Sequence, residues 1–154
     1  GGKGQIGRVH FARAMVQENI CEDVRDVFSS YLVKGKPGYV EHYWPSLKNV
    51  VSLILEADGL PVIAHPARYK LSYNLLTYMF EEFISFGGVG IEVATGSHSS
   101  ADIERFKNIS IKYDFKASRG SDFHSPSESR YDVGRAPYLP DCLLPIWASL
   151  EVRG

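Results

Sequence analysis

With 154 residues, 44% of them apolar and 12% aromatic, the chain is long enough to bury a core of its own. Its formal net charge of −1 excludes a global field for nucleic acid, so any such contact must come from a local patch. No apolar run reaches membrane-spanning length, no signal peptide is visible, and Cys21 and Cys142 lie too far apart in sequence for a C-x-x-C; a cytoplasmic protein without a disulfide framework or zinc knuckle is expected.

Gly7 to Gln17 sets Val9, Ala12, Met15 and Val16 at helical spacing, and Glu22 to Leu32 does the same with Val24, Val27, Phe28, Tyr31 and Leu32. Two short helices in a hairpin are predicted, followed by the turn-rich Lys34-Gly35-Lys36-Pro37-Gly38 and an extended Tyr39-Val40. Arg8, His10 and Arg13 gather on the first helix. Such a cluster suits phosphate oxygens, which Arg grips bidentately, and equally suits a solvated helix face.

Ser46 to Asp58 carries Leu47, Val50, Val51, Ile54 and Ala57 at helical spacing, stopped by Asp58-Gly59. Val62, Ile63 and Ala64 form a short apolar run bounded by prolines, as in a strand buried on both faces of a parallel sheet. His65 sits at its carboxyl end, where Pro66 halts the strand. Sites in α/β folds are built at those ends, although a histidine satisfied by a backbone carbonyl would look the same. Ser72 can cap a helix with the stripe Leu76, Met79, Phe80, Phe83 and Ile84, ended by Gly87-Gly88. A strand over Val89 to Ala94 and a helix over Ser99 to about Tyr113 follow, then a strand over Tyr113 to Ala117. Alternation of this kind predicts parallel βα units with right-handed crossovers.

The segment Gly120-Ser121-Asp122-Phe123-His124 carries the most chemistry. On an extended backbone Asp122 and His124 point to one face and can share a metal ion, with Phe123 packed the other way. An aspartate simply paired with a surface histidine is the alternative. Together with His65 at another strand end, these residues form a candidate metal site. Tyr131 to Leu150, with Trp147, reads as a closing strand and helix whose boundaries Pro137, Pro140 and Pro145 blur.

Taken in order, Gly7-Arg8-Val9-His10-Phe11-Ala12-Arg13, Lys34 to Val40, Ala64-His65-Pro66-Ala67-Arg68-Tyr69, Gly90-Ile91-Glu92-Val93, Gly120 to His124 and Gly134-Arg135 resemble the PHP (polymerase and histidinol phosphatase) phosphoesterases. The resemblance covers nearly the whole chain. It is to the C-terminal half of the branch that holds RNase AM, or TrpH-like, 5′–3′ exoribonucleases and nucleoside 3′,5′-bisphosphate phosphatases. Ala67 stands where that branch often has Gly, and Arg119 where it tends to be apolar.

The resemblance implies an α/β fold, part of a distorted TIM-like (β/α)7 PHP barrel, of which about three to four βα units lie in this chain. Residues 1–40 would be the later part of a helical insertion over the site, and 41–154 the C-terminal half of the barrel. His65, Asp122 and His124 match metal ligands and would be catalytic. Arg8, His10, Arg13, Arg68 and Arg135 match substrate or phosphate contacts, and Glu92 would orient ligands from behind them. The implied activity is hydrolysis of nucleotide phosphate esters, in bisphosphates and at the 5′ ends of short RNA. Two or three ions would serve it, Mn²⁺ by family preference, with Fe and Zn compatible with the ligand types.

The family's first metal motifs do not occur in this sequence. A barrel of roughly 200 residues or more is expected for the fold, so the chain reads as an inactive piece of a longer enzyme. Exposed barrel edges would favour a homodimer or strand exchange. Two other readings remain open: a helical module that binds RNA or nucleotide without chemistry, and a structural half-barrel without catalysis.

Overall fold

In the computed structural model, residues 6–41, 43–126 and 129–150 are described. The chain divides into two compact units, Gly1–Trp44 and Pro45–Gly154.

The first unit is helical. Helix α1 (Arg8–Gln17) is followed by α2 (Val24–Val27), which Asp23 caps by accepting from the Asp26 N–H at 2.8 Å. The chain then widens into a π-helical turn over Phe28–Leu32. Ala12, Val27 and Leu32 are buried together, with Met15, Val16 and Phe28 packed on them. These are the residues whose spacing predicted the hairpin. Tyr39 and Val40 follow without regular structure.

The second unit is a three-stranded parallel sheet in the order β1-β2-β3, with β1 over Val62–Ile63, β2 over Gly90–Thr95 and β3 over Lys116–Gly120. Helices α3 (Leu47–Glu56), α4 (Tyr73–Ser85) and α5 (Ser100–Tyr113) alternate with the strands. Ser46, Ser72 and Ser99 cap them, accepting from Asn49, Leu75 and Asp102 N–H groups. β2 is central, and every residue in it but Glu92 is buried, as a strand covered on both faces requires. Ile63, Ile91, Val93, Ala117, Phe80, Phe83, Phe106 and Phe115 form the core. Truncating one of these rings to Ala would cost about 3–5 kcal/mol.

Two elements differ from expectation. The strand expected over Tyr113 to Ala117 begins later, because α5 runs through Tyr113 and ends where Asp114 turns left-handed at φ 54°. The closing strand and helix expected between Tyr131 and Leu150 reduce to a bridge of Pro145 to Ala117 and one 3₁₀ turn at Ile146–Ser149. Prolines lack the N–H that a ladder needs, so one hydrogen bond from Ala117 N–H to the Leu144 carbonyl (2.8 Å) replaces an extended strand. No helix among the described residues is long and apolar enough to cross a membrane.

Candidate active site at the carboxyl ends of the strands

β1 ends at Ile63, and His65 turns left-handed (φ 31°) to start a 3₁₀ turn over Pro66–Arg68. A non-glycine residue in that region is held there by its surroundings, and such strain concentrates at functional sites. The holding contact is visible: the His65 N–H donates to Glu92 Oε2 at 2.6 Å. Glu92 is the one residue of β2 that is not buried, and the β2–β3 register slips by one residue directly after it, from Glu92↔Ser118 to Ala94↔Arg119. Gly120 at the end of β3 gives the carboxylate room, since a Cβ there would lie 2.7 Å from Glu92 Oε1. Sequence placed Glu92 as a residue that orients others, and it touches the backbone of one candidate ligand.

A second anchor, His98, escaped sequence reading. Its ring is buried and stacks on Phe106, with centroids 5.2 Å apart. Nδ1 lies 2.9 Å from the Val93 carbonyl and must donate to it, since a carbonyl only accepts. Nε2 then bears the lone pair that accepts the Ala67 N–H at 3.3 Å. A neutral imidazole thus ties the turn after β1 to the end of β2. A lone histidine in a Ser-rich turn has no pattern that would announce this.

Beyond β3 the extended-strand expectation fails. The strand stops at Gly120, and Asp122 adopts φ 53°, so Asp122 and His124 do not meet by i, i+2 alternation. A turn brings them together instead. His124 Nδ1 lies 2.9 Å from the Asp122 carbonyl and 3.9 Å from Asp122 Oδ1. The carbonyl makes Nδ1 the donor and leaves the Nε2 lone pair available, the tautomer that a metal-binding histidine uses. The Asp122 side chain is 18% exposed, and its Oδ2 accepts from Arg68 Nη1 at 3.0 Å.

Asp122, His124 and Arg68 line one polar cleft of about 450 Å³, joined by Ser97, Ser129 and Arg130. Gly96 and Ser121 form part of its wall, and Gly96 is obligatory: a Cβ there would stand 2.1 Å from the Ser121 carbonyl oxygen. His65 does not line this cleft. Its ring packs edge-on to Tyr69 at 6.0 Å, and its Nδ1 is buried without a hydrogen-bond partner. Burial, and then the Glu92 charge, raise the Tyr69 phenol above its ordinary value.

The fit to a metal is therefore specific and incomplete. A carboxylate and a histidine with its Nε2 lone pair available share one cleft, while the unpartnered ring nitrogen of His65 lies outside it. No three His, Cys, Asp or Glu side chains are close enough to hold an ion among the described residues. Arg135 is exposed and does not line the cleft. Arg8, His10 and Arg13 lie on α1 in the helical unit. There His10 has a local task, its Nδ1 accepting the Gly7 N–H at 3.0 Å at the start of the helix.

No protein-family model matches the chain. It is 47% identical over 148 residues to a 3′,5′-nucleoside bisphosphate phosphatase of Chromobacterium violaceum, a match over 96% of this chain and 52% of that protein. It is 33% identical over 148 residues to the 5′-3′ exoribonuclease Rnm of Escherichia coli, over 96% of this chain and 50% of the relative. Among solved structures, an amidohydrolase from Chromobacterium violaceum with bound sulfate and no metal superposes with a TM-score of 0.82 at 46% identity. That match covers 93% of this chain and 49% of the other. A structure from Bifidobacterium adolescentis assigned as a metal-dependent phosphoesterase gives 0.65 at 27% identity, over 94% of this chain and 50% of that one. The chain thus spans about half the length of the curated relatives it matches. With the ordered motifs, these likenesses place the chain in the PHP phosphoesterase family, in the branch of the nucleoside bisphosphate phosphatases and 5′–3′ exoribonucleases.

Proposed function

We propose that the chain is part of a metal-dependent hydrolase that removes phosphate from nucleoside 3′,5′-bisphosphates and from the 5′ ends of short RNA. The observation that carries this is the meeting of Asp122, His124 and Arg68 in one polar cleft at the end of β3. The 47% identity to a bisphosphate phosphatase supplies the substrate class.

In this reading Asp122 and His124 would hold one divalent cation through Oδ and Nε2, and His65, outside their cleft, would offer its unpartnered Nδ1 to a separate ion of the centre. A cation bound there supplies positive charge to the phosphoryl oxygens and lowers the pKa of a water that can attack phosphorus. Arg68 serves two partners. One N–H holds the Asp122 carboxylate, and the others are left to bind phosphoryl oxygen, for which a guanidinium fork is suited. Glu92 and His98 act on backbone, keeping the turn that bears His65 and Arg68 in register with β2.

Two or three side chains do not complete a centre of two or three ions, and we propose that the other ligands come from the rest of a protein of the relatives' length. The parallel sheet would then be part of a distorted seven-unit TIM-like barrel. Residues 1–40 would belong to a helical insertion and 41–154 to the barrel, in a cytoplasmic enzyme. Mn²⁺ is the first ion to try, with Fe and Zn as alternatives of the same ligand class. Arg8, His10, Arg13 and Arg135 remain proposed substrate contacts. Pairing of open sheet edges in a homodimer is a further proposal.

The test is phosphate release from a nucleoside 3′,5′-bisphosphate and from a 5′-phosphorylated oligoribonucleotide, by the full-length protein with Mn²⁺, before and after EDTA. Chelatable turnover is expected. Turnover unaffected by EDTA, or none on either substrate, contradicts the reading.

A further inference from the structure

Arg130, in the wall of the cleft, lies over the Tyr131 ring at 5.4 Å from its centroid. Outside the cleft the pairing recurs: Arg119, on β3, lies 5.0 Å over the ring of Tyr138. The second ring differs in being bare. Tyr131 is half-buried, whereas Tyr138 is 85% exposed, with Arg119 over one face. Its neighbour Leu139 packs on the sheet core, and Pro137 and Pro140 stiffen the backbone on either side. Tyr138 is therefore held out to solvent by an anchored segment, which lowers the cost of ordering it against a ligand. Arg119 has no carboxylate partner among the described residues and keeps N–H donors for an oxyanion. It also stands two positions before Ser121, a wall residue of the cleft, so at most about 7 Å of backbone separates them.

A bare ring backed by a cation suits a ligand in which planar rings alternate with anions. Single-stranded nucleic acid has that chemistry: a base stacks on the open face, and a neighbouring phosphate meets the guanidinium. We propose that Tyr138, backed by Arg119, is a stacking platform for a base of an RNA strand whose 5′ end lies in the cleft. A mononucleotide held in the cleft leaves the platform empty, so affinity grows with strand length. That the strand is RNA with its 5′ end inward rests on the hydrolase reading above; the stacking platform does not.

The test is equilibrium binding to the full-length protein in EDTA, by fluorescence anisotropy. The probe is a 5′-phosphorylated oligoribonucleotide labelled at its 3′ end, with a nucleoside 5′-monophosphate as competitor. Tyr138→Ala is expected to weaken oligoribonucleotide binding by roughly tenfold, the scale of one base stacked on a ring, and monophosphate binding by less than about twofold. Tyr138→Trp, which keeps a stacking face, should match the wild type. Arg119→Gln should lower the slope of log affinity against log salt by about 0.7, the share of one single-strand phosphate contact. Oligoribonucleotide affinity unchanged in Tyr138→Ala, or reduced equally with that for the monophosphate, overturns the inference. Strand binding that depends on Tyr138, in a protein that releases no phosphate from the strand with Mn²⁺, sinks the hydrolase reading and leaves the platform standing.

Discussion

The Glu92 carboxylate accepts the backbone N–H of His65 at 2.6 Å, so the central strand holds the turn that carries a candidate metal ligand. The contact depends on the absence of a side chain at Gly120. Gly120→Ala would put a methyl 2.7 Å from Glu92 Oε1, at the mobile end of that side chain. The fold should tolerate this within about 1 kcal/mol, while the carboxylate is pushed off His65. The expected outcome is a melting temperature close to wild type with phosphate release reduced severalfold. Equal losses of stability and activity would contradict the assignment.

Gly96→Ala is the contrasting case. Its methyl would meet the Ser121 carbonyl oxygen at 2.1 Å, backbone against backbone, with no flexible side chain to yield. A destabilisation of about 1–3 kcal/mol or more is expected from overpacking of this kind. Chemical denaturation would measure it, and a loss below that of Gly120→Ala would argue against the close approach of the two strand ends.

His98 should act through the turn it holds. His98→Ala leaves the Val93 carbonyl and the Ala67 N–H without their partners and removes a stacked ring, costing about 2–5 kcal/mol. The informative variant is His98→Gln, whose amide can still donate and accept. It should recover part of the stability and, with it, part of the Mn²⁺ affinity. Full Mn²⁺ affinity in both variants would show that the turn needs no such tie.

Asp102 offers a pH test away from the site. The Ser99 hydroxyl at 2.6 Å, and then its N–H at 2.9 Å, hold the Asp102 carboxyl below its ordinary 3.8. A carboxyl lowered on folding stabilises above its unfolded pKa, and that gain fades as pH falls through the folded value. Asp102→Asn should therefore cost no more than about 1 kcal/mol near neutrality. The gap in thermal melts should close as pH falls below about 4. A gap that persists unchanged at pH 2 would contradict the capping account.

The three helices and the first two strands of the second unit were legible because their signals are local. Ser46, Ser72 and Ser99 stand at helix starts, and the run of apolar residues in β2 marks a doubly covered strand. Of the expected site residues, Asp122, His124 and Arg68 do line one cleft, whereas His65 and Arg135 do not, and the geometry departs from expectation. Asp122 and His124 were expected on one face of an extended strand, and they meet across a left-handed turn that no side-chain period encodes. His98, Ser129 and Arg130 went unread because their roles depend on what the fold brings beside them: a backbone N–H from another strand end, a neighbouring turn, an open cleft. The closing segment was misread because Pro137, Pro140 and Pro145 remove donors, while apolar residues such as Leu143 still pack on the sheet.

The most direct measurement is the Mn²⁺ dependence of phosphate release from a nucleoside 3′,5′-bisphosphate, in the full-length protein and in its His124→Ala and Asp122→Ala variants. The account predicts that Asp122→Ala abolishes turnover and that His124→Ala needs more than roughly tenfold higher Mn²⁺ to reach half its maximal rate. Near wild-type kcat at unchanged Mn²⁺ demand in both variants would contradict the metal assignment at the end of β3.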